Sequence, residues 1–141
     1  MEKITKRFRA SILLIDDHAI NRDVVCQMLQ LMGCDVTIAE NGRVGLDLLE
    51  SHRYDLLLVD LQMPEMSGYE TAEHIRNLEI RKQRPHAPML AISANIFSDN
   101  DRERCVEFGM NDCVAKPVTS AMLAQVLERY LPPQAILRGT P

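Results

Sequence analysis

The chain has no tryptophan, and only 4% of its 141 residues are aromatic. A core with so few rings must be built from aliphatic side chains. No apolar stretch approaches the roughly 20 residues of a bilayer-spanning helix. Met1 to Ala10 carries Lys3, Lys6, Arg7 and Arg9 with no apolar segment behind them, so neither membrane insertion nor a signal peptide is expected. The first apolar run, Ile12 to Ile15, is followed by Asp16-Asp17-His18-Ala19-Ile20-Asn21, without a glycine. A dinucleotide fold would place its Gly-rich turn there, and a P-loop is missing from the whole chain. Cys26, Cys34, Cys105 and Cys113 form no C-x-x-C pair. That spacing supplies no zinc site and suits buried, reduced thiols in a cytoplasmic protein. A net charge of −4 argues against broad electrostatic binding to nucleic acid.

What is there suits one globular domain: 46% hydrophobic and 26% charged residues, with short apolar runs alternating with amphipathic segments. Ser11–Ile15, Asp35–Ala39, Leu56–Val59, Met89–Ile92 and Asp112–Ala115 read as strands. Ile20, Val24, Met28 and Leu31 recur at helical spacing before Gly33. Further helices are expected around Val44, Leu48 and Leu49, across Tyr69, Ala72, Ile75 and Leu78, over Asp99–Phe108 ending at Gly109, and over Ala121–Tyr130. Asn41-Gly42 reads as a turn. Five β-α units imply right-handed crossovers and a parallel sheet covered on both faces. With the dinucleotide order disfavoured, the expectation is a flavodoxin-like doubly wound five-stranded sheet, order 2-1-3-4-5. Residues 10–131 form the domain in this reading. Residues 1–9 are a basic leader or linker, and the Pro-rich 132–141 a tail or linker.

The chemistry gathers at the strand ends. Asp60 ends the apolar run Leu56 to Val59, Asp16 and Asp17 end the first run, Ser93 ends the fourth strand, and Lys116 follows the fifth. In the expected order the first and third strands are neighbours, so Asp16, Asp17 and Asp60 converge on one crevice. Three carboxylates so close repel one another unless a cation joins them. Mg²⁺ suits, since it takes oxygen ligands and keeps several waters; Mn²⁺ is a possible substitute. With the ion in place Asp60 can attack phosphorus. Lys116 supplies a second positive charge and the Ser93 hydroxyl a hydrogen bond to a phosphoryl oxygen. Pro117 shapes the turn after Lys116; the sequence does not say whether that bond is cis.

At these residues the chain resembles the receiver (response-regulator) domain of two-component signalling. The matching pieces are Asp16-Asp17, Asp60-Leu61-Gln62-Met63-Pro64-Glu65-Met66-Ser67-Gly68, Ser93-Ala94 and Lys116-Pro117, in order at the ends of strands one, three, four and five. The resemblance spans residues 11–130. It implies Asp60 as phosphoacceptor, Asp16, Asp17 and Asp60 as metal ligands with the Gln62 backbone carbonyl, and Ser93, Ala94 and Lys116 around the phosphoryl group. It further implies that Gln62 and Asn95 tune dephosphorylation. The loop Gln62–Gly68 looks most like receivers attached to hybrid sensor histidine kinases. The implied partner is a histidine kinase or histidine phosphotransfer domain. The output would run through the face of about Asp99–Tyr130, where a phosphorylation-dependent homodimer is also expected.

One departure is Cys113, which stands three residues before the lysine where many receivers carry an aromatic switch. A thiol cannot swing a ring between two pockets, so the usual aromatic read-out is not expected. His18, beside the acidic pair, could contact phosphate or metal, with a surface histidine at a helix start the favoured reading; Glu79–His86 is a long basic connection, within which Arg81–Arg84 reads as a solvated run or a dock for an acidic partner. Two rival readings are a stand-alone response regulator and a receiver-like interaction module that never carries phosphate. A phosphohydrolase of the haloacid-dehalogenase type is disfavoured, because its second aspartate would fall at Gln62.

Overall fold

The structure, a computed structural model, describes residues 6–94 and 98–138. In chain order these form β1 (Lys6–Phe8), β2 (Ser11–Ile15), α1 (Ala19–Leu31), β3 (Asp35–Ala39), α2 (Gly42–Ser51), β4 (Leu56–Asp60), α3 (Gly68–Arg81), β5 (Met89–Ser93), α4 (Asp99–Glu107), β6 (Asp112–Ala115) and α5 (Ser120–Tyr130). A 3-10 turn at Pro133–Ala135 leads into β7 (Ile136–Arg138). Five strands make one parallel sheet in the order β3-β2-β4-β5-β6. With the terminal β1 set aside, that is the expected 2-1-3-4-5. The register Ile15↔Val59 and Asp60↔Ile92 brings the C-terminal ends of β2, β4 and β5 level at one edge.

The period of two along each strand divides the core. Ile12, Leu14, Leu56, Leu58, Leu90 and Ile92 face α1 and α5, where Val25, Leu29, Leu123 and Leu127 meet them. Leu13, Ile15, Leu57, Val59, Met89 and Ala91 face the other side, against Leu49, Ala72, Ile75 and Cys105. The central strands β4 and β5 are buried along their whole length, as continuous apolar runs require in a sheet covered on both faces. Each fully buried leucine or isoleucine contributes roughly 1.5–3 kcal/mol. Side-chain caps set several helix starts: Asn41 accepts from the Val44 N–H, Ser67 from Glu70 and Thr119 from Met122. Asn41-Gly42, expected as a turn, is thus a helix cap and first helical residue. The four cysteines are free and buried.

Three regions add detail to these expectations. The spacing Ile20, Val24, Met28, Leu31 identifies the first helix, but it is not the core face. Val25, Cys26 and Leu29 are buried, while Ile20 is 83%, Val24 45% and Leu31 67% exposed. Parts of the segments expected as leader and tail are structured. β1 pairs antiparallel with β7, and Phe8 is buried with its N–H on the Met32 carbonyl. A single aromatic between Arg7 and Arg9 gave no periodic signal, yet its burial holds the ribbon against the end of α1. Finally, 79–86 is mostly exposed, as expected of a solvated connection, yet it is tied to the fold. Glu79 is buried, Arg81 and Lys82 pair with Glu50, and Arg84 donates to the Leu49 carbonyl.

Candidate functional site

Asp16 leaves β2 with its N–H still bonded to the Ala39 carbonyl, which continues the sheet one residue past the strand. Its carboxylate is fully buried. Oδ1 accepts the His18 N–H at 2.9 Å and Oδ2 accepts from the Asn21 amide, while Arg22 donates to its carbonyl. The first turn of α1 therefore fixes this carboxylate from below. Asp17 is half-buried, and its Oδ1 has no hydrogen-bond partner.

Asp60, the last residue of β4, is fully buried. Its Oδ1 accepts the Gln62 N–H at 3.1 Å, whereas Oδ2 accepts no hydrogen bond. Oδ2 lies 3.5 Å from Lys116 Nζ and 3.4 Å from His18 Nδ1. Burial pushes this carboxyl above the usual aspartate range. The Gln62 N–H pulls it back, the Asp16 charge pushes it up again, and the Lys116 ammonium pulls it down. An orphaned oxygen in so poor a solvent costs stability unless something binds it.

The loop after β4 is held by glycine. A Cβ on Gly68 would stand 2.4 Å from the Asp60 carbonyl oxygen and 2.6 Å from the Leu61 Cα, so only glycine lets the start of α3 press against the end of β4. The Gly68 N–H closes the loop on the Leu61 carbonyl at 3.0 Å. Across the cleft, Ser93 ends β5 and is buried. Its carbonyl accepts the Lys116 N–H at 2.9 Å, which ties the end of β5 to the turn after β6. The Lys116–Pro117 bond is cis. Ala94 and Gln62 are exposed at the rim; Asn95 lies outside the described residues. Cys113 is buried beside Cys105 at the level of Ala91, on the side of the sheet away from Lys116.

The sequence favours a surface histidine at His18, with a contact to metal or phosphate as the alternative. The side chain is 61% exposed, yet its Nδ1 stands 3.1 Å from Asp17 Oδ1 and 3.7 Å from Asp16 Oδ1. Asn21 and Arg22, which hold Asp16, were not singled out at all; their place at i+5 and i+6 from a strand-end acid was the available signal. Asp16, Asp17, His18 and Asp60 together could hold a metal ion, with one donor atom from each within 4.8 Å of the others. The hard carboxylate oxygens and the two orphaned ones among them fit Mg²⁺.

A parallel sheet in this order, with an acid triad and a lysine at its C-terminal edge, defines a class. The chain matches the response regulator receiver domain over residues 12–128 and belongs to that family. The sensor histidine kinase RcsC of Escherichia coli is 34% identical over 84% of this chain. The hybrid signal transduction histidine kinase L of Dictyostelium discoideum is 30% identical over 92% of it. The chain spans only 12% and 8% of the length of those two proteins. Among solved structures, the receiver domain of a sensor histidine kinase from Pseudomonas aeruginosa, with a magnesium ion coordinated in its active-site cleft, is 36% identical. It superposes with a TM-score of 0.75, covering 86% of this chain and 96% of that one. A chemotaxis protein from Vibrio cholerae is 27% identical with a TM-score of 0.78, covering 87% and 99%. No helix among the described residues is long and apolar enough to cross a membrane.

Proposed function

We propose that this receiver takes a phosphoryl group from a phosphohistidine onto Asp60 and that the aspartyl-phosphate switches a protein-binding surface. The observation that carries this reading is the buried Asp60, whose Oδ2 accepts no hydrogen bond and faces Lys116 on one side and the acid pair on the other. A carboxylate oxygen of Asp60 attacks phosphorus, the P–N bond of the donor breaks, and the imidazole leaves with a proton. Asp16, Asp17 and Asp60 would hold Mg²⁺, with the Gln62 backbone carbonyl as a further ligand. When bound, Mg²⁺ neutralises the carboxylates and draws charge from the phosphoryl oxygens. Lys116 and Ser93 bind the remaining oxygens beside Ala94, and Gln62 and Asn95 set how readily water reaches the product.

The donor is a histidine kinase or phosphotransfer domain. An apolar groove of about 410 Å³ runs between Ile20, Val24, Pro117 and Val118 and shares His18 and Lys116 with the acid cleft. A donor helix laid there would bring its histidine to Asp60 and cover the exposed apolar stripe of α1. The curated relatives that are histidine kinases support a receiver working within a hybrid kinase, on the cytoplasmic side. The output is read at 99–130, where Cys113 replaces the aromatic switch and where phosphorylation-dependent pairing of two copies would form.

The test is intact mass after incubation with acetyl phosphate and Mg²⁺, beside Asp60→Asn. One alkali-labile phosphoryl adduct, lost in the variant and with chelator, is the expected result. No adduct, together with no binding of beryllofluoride, would overturn the reading in favour of an interaction module.

A further inference from the structure

The acid cleft contains a donor that its oxygen chemistry does not need. His18 Nδ1 lies 3.1 Å from Asp17 Oδ1, 3.4 Å from Asp60 Oδ2 and 3.7 Å from Asp16 Oδ1. These are not lengths of metal–ligand bonds, but they are the spacings between ligands. Donors held at about 2.1 Å around one ion stand roughly 3 Å apart when adjacent and about 4.2 Å apart when opposite. All three separations fall in that interval, so a single ion can meet the nitrogen and the oxygens with only small adjustments. Two of those oxygens, Asp17 Oδ1 and the fully buried Asp60 Oδ2, accept no hydrogen bond. The His18 backbone is fixed as well, because its N–H donates to Asp16 Oδ1. The ring is delivered to the cleft by the same turn that holds the first carboxylate.

Nitrogen changes what the site selects. Carboxylate and water suit Mg²⁺, while imidazole suits Zn²⁺ and its neighbours among the transition metals. We propose that His18 is a fourth donor of this site, and that through it the site binds Zn²⁺-class ions by a nitrogen contact that Mg²⁺ does not use. The inference rests on the reading of the cleft as a divalent-metal site and adds a choice between metals to it. Asp16, Asp17 and Asp60 serve both ions; His18 discriminates between them.

The experiment titrates the full chain with Mg²⁺ and with Zn²⁺, both diamagnetic, following backbone amide shifts and the ring nitrogens of His18 by NMR. The comparison is with His18→Asn, which alters an exposed side chain. Zn²⁺ is expected to move the His18 Nδ1 resonance and the amides of Asp16, Asp17 and Asp60. In His18→Asn its affinity should fall at least about tenfold, with Mg²⁺ affinity changing less than about threefold. Equal losses for both ions, or Zn²⁺ shifts located elsewhere, would overturn the proposal. So would tighter Mg²⁺ binding with unchanged Zn²⁺ binding, which would make His18 a plug rather than a ligand. In each of those cases Mg²⁺ still binds and the metal-site reading stands. Absence of any Mg²⁺ shift in the natural chain would overturn both.

Discussion

The two edges of the parallel sheet treat buried charge in opposite ways. At the N-terminal edge, Arg76 of α3 donates to Glu79, to the Ala87 and Gly109 carbonyls and to Asn111, and Glu79 in turn accepts the Ala87 N–H. The Asn111 side chain also accepts the Met89 N–H. Each group in that set has a partner, and the set joins α3 to the starts of β5 and β6. At the C-terminal edge, Asp16, Asp17 and Asp60 crowd together and two of their oxygens accept nothing. Both edges contain buried ions. Only one is complete without an outside molecule, and completeness is what separates a structural network from a site.

The largest break in this comparison comes from the complete edge. Arg76→Ala leaves Glu79 buried and unpaired and frees two carbonyls, and it should cost about 3–5 kcal/mol. Urea denaturation reads that loss directly. A cost below about 1 kcal/mol would mean that the network is no more than a surface ion pair.

The incomplete edge should respond to being completed. Mg²⁺ at ten times its dissociation constant stabilises a one-site protein by about 1.4 kcal/mol, and most of that gain should vanish in Asp17→Asn. Thermal melts with and without Mg²⁺ check both halves. An equal Mg²⁺ response in the variant would place the ion elsewhere.

Removing the Asp60 charge from the crowded acids should act in the same direction as binding it. In chelator, Asp60→Asn is expected to stabilise the fold by about 1 kcal/mol, roughly 3–4 °C in Tm. The pH dependence follows from the raised carboxyl. The folded chain takes up a proton at Asp60 at a pH where the unfolded chain does not. The natural protein therefore gains stability relative to the variant as pH falls through that raised value. A gap that widens on acidification would contradict the assigned direction.

Much of this contrast was legible in the sequence. Unbroken apolar runs at Leu56 to Val59 and Met89 to Ile92 signalled central parallel strands, and a carboxylate at the end of a buried run signalled chemistry. What escaped notice had physical causes. The first helix has two apolar stripes, and spacing alone cannot tell Ile20, Val24 and Leu31, left in the open, from Val25, Cys26 and Leu29 in the core. The terminal ribbon is three residues long on each side, too short for any period. The pairing of Arg76 with Glu79 has no signal of its own, because sequence does not show which polar face meets another strand's loop. His18 admits two readings in sequence, surface residue or cleft contact, and the structure bears out part of each: its ring is mostly exposed while one nitrogen faces the acids.

The smallest effect is the control for burial itself. Glu50 pairs with Arg81 and Lys82 at the surface beside α3. Its carboxyl is held below the ordinary range, mainly by the hydrogen bond from Arg81. A lowered carboxyl contributes stability above its unfolded value near 4.5 and loses it as pH falls through the folded one. The pair is exposed, so water and salt screen it. Glu50→Gln should leave the melting temperature at neutral pH nearly unchanged, and 1 M salt should erase whatever difference remains. Glu79→Gln changes the same side chain within the neighbouring buried network, and it should destabilise in any salt. If the two variants behaved alike, burial would not be what distinguishes the edges, and the unpartnered oxygens of Asp17 and Asp60 would lose their meaning as the mark of a site.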